Sequence, residues 1–222
     1  MNLISFFRSK GRKFYDSLYC KALPNKIKLG EECSWFVDAA ILDQTSIVYS
    51  GGVGNDISFE LELTNKIGCN IMLFDPSDTG IKTMSKKEIQ HERLKFFPFG
   101  LDKEDSVVKF SKPENSIEGS FTILREVQKD FVEFSCRSIS SLTKEFKHNV
   151  IDLLKIDIEG FEYGVIEDIL KNKIEVKQIC VEFHHSFKEI PISKTYETIR
   201  QLKKKGYIII HKHRSDYTFI KK

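Results

Sequence analysis

The sequence predicts an α/β domain built on a mostly parallel sheet, and three observations predict it. Short apolar runs recur at Ser46–Ser50, Asn70–Phe74, Leu94–Phe97, Ile151–Ile156 and Gln178–Phe183, mostly apolar on both faces, as strands inside a parallel sheet are. Helical patterns lie between the runs. Phe161–Leu170 gathers Phe161, Val165, Ile166, Ile169 and Leu170 on one face, and Ser193–Lys205 does the same with Tyr196, Ile199 and Leu202, with Ser193 as the expected cap. Finally, the first run, I-V-Y-S, breaks into the glycine cluster G-G-V-G-N-D, and Asp75 closes the second, N-I-M-L-F-D-P. A glycine turn after one strand, with a carboxylate at the tip of the next, is how such sheets hold an adenosine-bearing cofactor.

Taken in order, the elements suit one domain of ordinary size. The chain has 222 residues, too few for two comfortable domains, so residues 1–34 are read as a helical N-terminal extension and 35–222 as the domain. The opening apolar run of six residues ends at Arg8, which is short for a signal sequence or a membrane span. The first 28 residues are locally basic (Arg8, Lys10, Arg12, Lys13, Lys21, Lys26, Lys28), which suits a helix covering the domain edge or one that contacts a membrane surface or a partner. Asp56–Lys66 alternates like a strand, yet Ile57 with Leu61 and Phe59 with Leu63 also stand four apart, and the preceding turn favours helix. Between Asp105 and Ser135, strand-like pieces flank a stretch rich in Pro, Asn, Ser and Gly at Lys112–Ser120, read as a loop or small lid. The tail carries two β-rich stretches around H-R-S-D, a hairpin that would close the sheet with an antiparallel strand.

Composition narrows the function. Charged residues nearly balance at +3, and no aromatic basic stripe appears, so no nucleic-acid partner is expected. Five widely spread cysteines contain no C-x-x-C pair, which argues against a disulfide framework or a structural zinc site and fits a reducing, cytoplasmic setting.

The candidate chemistry sits at strand ends. In Ser50–Asp56, the glycines Gly51, Gly52 and Gly54 let backbone N–H groups approach a ligand, and a helix N-terminus follows. A nicotinamide-type G-x-G-x-x-G is broken, because Ile57 stands at its third position. Asp75, before Pro76, would accept hydrogen bonds from ribose hydroxyls; its plain alternative is a turn-forming role. In L-L-K-I-D-I-E-G-F-E, Lys155, Asp157 and Glu159 fall at alternate positions and share a face if the strand continues that far, although Glu159 could instead cap the helix that follows. V-E-F-H-H repeats the pattern with Glu182 and His184, an imidazole suited to proton transfer near neutrality. His148, His211 and His213 read as surface residues, Trp35 as a core anchor, and no full metal ligand set is apparent.

The ordered set I-V-Y-S-G-G-V-G-N-D-I-S-F-E, F-D-P, F-F-P-F-G-L, L-L-K-I-D-I-E-G-F-E and V-E-F-H resembles the FkbM-like methyltransferases, a branch of the class I S-adenosylmethionine-dependent enzymes. The resemblance runs from about Trp35 to His185 and is most specific at K-I-D-I-E-G. It implies a Rossmann-like fold with a mostly parallel seven-stranded sheet whose last strand is antiparallel. It also implies O-methyl transfer to a hydroxyl acceptor, a sugar, glycan or small metabolite. Carried onto this chain, Ser50, Gly51, Gly52 and Gly54 would line the methionine end of S-adenosyl-L-methionine. Asp75 and Pro76 would stand at its ribose, and Phe99, Gly100 and Leu101 near its adenine. Asp157 and His184 would be the base candidates, with Glu182 and Glu159 orienting the acceptor. The chain departs from the commoner D-x-G-A-N-x-G, having Ser50 at the first acid, Gly54 at the Asn and Asp56 at the last Gly. A non-catalytic cofactor-binding scaffold and a nicotinamide oxidoreductase are the alternatives.

Overall fold

The computed structural model describes residues 20–111 and 131–222. Seven strands form the main sheet: β3 (Ile47–Gly51), β4 (Asn70–Phe74), β5 (Leu94–Phe97), β9 (Val150–Ile156), β10 (Glu175–Glu182), β11 (Tyr207–His213) and β12 (Asp216–Lys221), in the order β11-β12-β10-β9-β3-β4-β5. Neighbours from β10 through β5 pair in parallel, whereas β12, the last strand, runs antiparallel to both β10 and β11. This is the class I methyltransferase arrangement that the resemblance implies.

Alternation along the strands decides what each face buries. Tyr49, Leu154, Ile156 and Ile179 pack on one side under α3 (Ile139–Phe146), α4 (Glu162–Asn172) and α5 (Ile192–Lys204). Val48, Leu73, Leu153 and Cys180 pack on the other under α1 (Ser58–Ile67), α2 (Asp78–Met84) and a hairpin of β1 (Lys26–Leu29) with β2 (Trp35–Asp38). Both faces are apolar because both are covered. Each fully buried Leu, Ile or Phe contributes about 2 kcal/mol.

The hairpin is tied down by a buried exchange, in which Asp38 N–H donates to Gln178 Oε1 and Gln178 Nε2 donates to Asp38 O. Strand therefore stands within residues 20–34, where helix was expected; residues before Cys20 lie outside those described. A smaller sheet joins β6 (Gly100–Leu101), β8 (Phe131–Arg137) and β7 (Ser106–Ser111), so the insertion begins and ends as a strand pair and its middle lies outside the described residues. The expected helix over Asp56–Lys66 is α1, and the tail hairpin turns at Arg214 and Ser215. Pro191, not Ser193, caps α5, without a side-chain hydrogen bond; Ser193 already lies inside the first turn. Among the described residues no helix is long and apolar enough to cross a membrane.

Candidate active site

The carboxyl ends of β3, β4, β9 and β10 open into one cavity of about 670 Å³, large enough for a cofactor and the reacting part of an acceptor. The glycine turn forms one wall. Gly52 and Gly54 have φ of +85° and +55°, and a side chain on Gly52 would collide with the Asp157 carbonyl. Gly52, Val53 and Gly54 line the cavity, and nothing lies within 4 Å of where a Gly54 Cβ would stand.

Asp75 locks this turn. Its Oδ2 accepts from Val53 N (2.8 Å) and Gly54 N (3.0 Å), and Oδ1 from Ser77 N (2.8 Å). Gly80 is required beside it, since a Cβ there would run into the Asp75 carboxylate. A carboxylate offers about four acceptor positions, so three amides leave one for a ribose hydroxyl. Pro76, Gly100 and Leu101 line the same cavity. The residues present thus fit an adenosine-bearing cofactor: a cavity of the right size, a glycine cradle and an acid at the next strand tip.

Three residues expected at the cofactor do not reach the cavity. Ser50 is fully buried and donates to Glu60 Oε1, because its side chain points to the face that α1 covers. Gly51 lies beneath the turn, where a Cβ would press on Leu101 and Ile158. Phe99 packs with Phe74 and Phe97, and the Arg137 guanidinium lies over its ring.

The opposite wall is acidic. β9 ends at Ile156, earlier than the alternation of Lys155, Asp157 and Glu159 supposes, and the chain turns through Glu159 (φ +53°) and Gly160 (φ +106°) into α4. All three side chains nonetheless line the cavity, with Glu182 at the tip of β10 and Asp216 at the start of β12. Glu159 does not cap α4; Gly160 N–H donates to Glu162 Oε2 instead.

Glu162 is the residue that sequence reasoning passed over. It is fully buried and accepts from His184 N at 2.7 Å, while His184 Nδ1 lies 3.2 Å from the same oxygen. His184 Nε2 faces Asp157 Oδ1 at 3.7 Å and Glu159 Oε2 at 3.5 Å. Burial alone would push the imidazole down. The Glu162 hydrogen bond and the charges of Glu162, Glu159 and Asp157 outweigh it and hold His184 up at about 9. His184 is thereby drawn toward its protonated form, its Nδ1 side is held by Glu162, and it stands behind the cavity wall rather than in it, which turns it away from the part of a base. Glu182 is raised as well, which in a carboxylate favours the neutral form: burial first, then the charge of Asp157, pushes it up to about 7 against the opposing pull of His184. Burial and Asp157 also raise Asp216 against His213 and Arg214.

Asp157, Glu182 and His184 bring ligand-type atoms within 4.8 Å of one another, the one such group among the described residues. His213 lines the cavity beside Asp216, closer to the site than a surface role implies, whereas His211 stacks on Phe36 and His148 bonds the Tyr49 hydroxyl. Trp35 is the buried anchor expected, at the cavity edge.

The chain is 24% identical over 180 residues to probable methyltransferase-like protein 24 of Rattus norvegicus, covering 75% of this chain and 43% of that protein. It is 26% identical to the Homo sapiens protein of the same name, covering 75% and 42%. It thus spans less than half the length of these curated relatives. Among solved structures, an rRNA methylase from Streptococcus thermophilus superposes with a TM-score of 0.45 at 12% identity, covering 82% of this chain and 90% of that one. The Methanococcus jannaschii fibrillarin pre-rRNA processing protein gives 0.43 at 11%, covering 90% and 84%. Both likenesses are too loose to argue from. The profile of the methyltransferase FkbM domain matches residues 3–209, and with that match across nearly the whole length the chain belongs to the FkbM methyltransferase family.

Proposed function

We propose that the protein is an O-methyltransferase that moves the methyl group of S-adenosylmethionine to a hydroxyl of a sugar, glycan or small metabolite. The observation that carries this reading is that the glycine turn locked by Asp75 and the carboxylates of Asp157, Glu159 and Glu182 line one and the same cavity. When bound, the cofactor supplies a methyl group on a cationic sulfonium, which needs no further activation.

The chain's own residues then have three tasks. Gly52, Val53, Gly54 and Asp75 hold the amino-acid and ribose end, and Gly100 with Leu101 flanks the base. Asp157 and Glu159 would orient the acceptor hydroxyl in line with the methyl group that the cofactor supplies when bound. Glu182 takes the proton the hydroxyl loses, a role that suits a group whose affinity for protons matches neutral pH. His184, held by Glu162, fixes the neighbouring carboxylates and keeps their repulsion in check.

The test is calorimetric titration with S-adenosylmethionine, S-adenosylhomocysteine and NADH, followed by transfer of labelled methyl to a panel of hydroxyl acceptors. Binding of both sulfur nucleosides and a base-stable methyl ether product are expected. NADH binding with the sulfur nucleosides ignored would overturn the reading in favour of hydride chemistry, and binding without transfer to any acceptor would favour a scaffold.

A further inference from the structure

The mechanism leaves two buried ionisable groups unused, Glu60 and Lys155, 1% and 2% exposed. Glu60 lies on the covered side of the glycine turn, and Lys155 reaches from that side to the cavity wall. Ser50 on β3 and Lys155 on β9 are register partners, so their side chains share one face of the sheet, the face covered by α1. From the first turn of α1, Glu60 reaches back and accepts the Ser50 hydroxyl. Lys155 extends along the same face toward the turn. Its Nζ donates to Gly52 O and, at 3.4 Å, to Gly51 O.

An ammonium in such a position needs a reason to stay charged. Burial is the largest influence on Lys155 and opposes its charge, yet the nearby carboxylates, Glu60 foremost and then Asp157 and Asp75, help raise it overall. The turn is therefore clamped between two opposite charges. Lys155 holds its carbonyls from within, and Asp75 holds the Val53 and Gly54 amides from the other side.

We infer that Glu60 is a positioning residue for the cofactor turn: acting through Lys155 and Ser50, it supplies the negative charge that the motif lacks at its first position, where this chain has Ser50. Glu60 touches no cavity; its effect is to keep Lys155 protonated and aimed at Gly52 O. The inference rests on the cofactor reading for its binding consequence, but not for its effect on the turn.

Two variants test it. Glu60→Gln keeps the shape and the hydrogen bond to Ser50 while removing the charge. S-adenosylmethionine and S-adenosylhomocysteine should both bind about tenfold more weakly, the loss expected when a charged group loses its partner. Amide hydrogen exchange at residues 51–54 should quicken while the rest of β3 and β9 stays protected. Ser50→Asp combined with Glu60→Gln returns a carboxylate to the face of Lys155, and it should recover binding and protection. Wild-type affinity together with wild-type exchange in Glu60→Gln would overturn the inference. So would a double variant that fails to fold or to recover, because a charge merely filling α1 has no reason to be replaceable from β3. If the wild type binds neither sulfur nucleoside, the cofactor reading falls, and the exchange result alone then decides whether Glu60 governs the turn.

Discussion

The two ends of the cavity handle charge in opposite ways. At the glycine turn each ionised group is matched: Asp75 accepts three amides, Lys155 donates to carbonyls, and Asp56 accepts from Cys33 N and Ser58 N. At the strand tips the carboxylates crowd one another, and Glu182 has only the Ser215 hydroxyl at 3.1 Å among the hydrogen bonds of described residues. On the proposed function, the first arrangement would hold a ligand without rearranging, and the second would leave Glu182 as the proton acceptor. What separates them is whether backbone amides are at hand, since amides that donate to a carboxylate favour its ionised form.

The largest effect should come from the poised end. Glu182→Gln is expected to lower turnover by roughly 10²–10⁴-fold, the usual contribution of a positioned general base. In the wild type the rate should rise with pH through about 7 and then level, as Glu182 loses its proton. A variant rate within threefold of wild type, or a flat profile, would remove Glu182 from that role.

Glu162 comes next, through stability. Removing one partner of a buried pair costs about 3 kcal/mol, so Glu162→Gln should lower the denaturation midpoint sharply near pH 6. The sign follows from His184. Its folded value of about 9 lies above the unfolded one of roughly 6.5, so the stability it contributes is full below about pH 6.5 and is lost as pH rises through about 9. The gap between wild type and variant should therefore narrow across that window in urea titrations. A gap that widened would contradict the imidazolium.

The smallest effect should be that of His213→Gln. His213 borders the cavity but is largely exposed, and its approach to Asp216 is 3.9 Å. Stability should change by no more than about 0.5 kcal/mol, and cofactor affinity should be unchanged in calorimetry.

The legible parts of the molecule were those carried by local pattern. Asn70–Phe74 and Leu94–Phe97 are strands over the residues expected, since an apolar run bounded by polar residues needs no distant partner to declare itself. The glycine turn and Asp75 were legible as a pair because each closes one of two successive apolar runs, the places where such sheets put their ligand-holding groups. The errors arose where a side chain on a packed helix, outside the motif itself, decides the outcome. Ser50 looked like a ligand from its place in the motif, but strand alternation turns it toward Glu60 on α1. His184 looked like a base until Glu162, twenty-two residues earlier, took its Nδ1 side. A signal for both was present in the sequence: Glu60 and Glu162 each stand on the apolar stripe of a helix, with Leu63 and with Val165 and Ile166, where a carboxylate costs energy unless it is engaged.

The division of labour between the two ends is most directly tested by titrating S-adenosylhomocysteine into wild type, Asp75→Ala and Glu182→Gln under one set of conditions, with no acceptor needed. The account predicts at least about tenfold weaker binding for Asp75→Ala, which loses charge-assisted bonds to the turn, and affinity within about twofold of wild type for Glu182→Gln. Equal weakening in both variants, or weakening in Glu182→Gln alone, would contradict it.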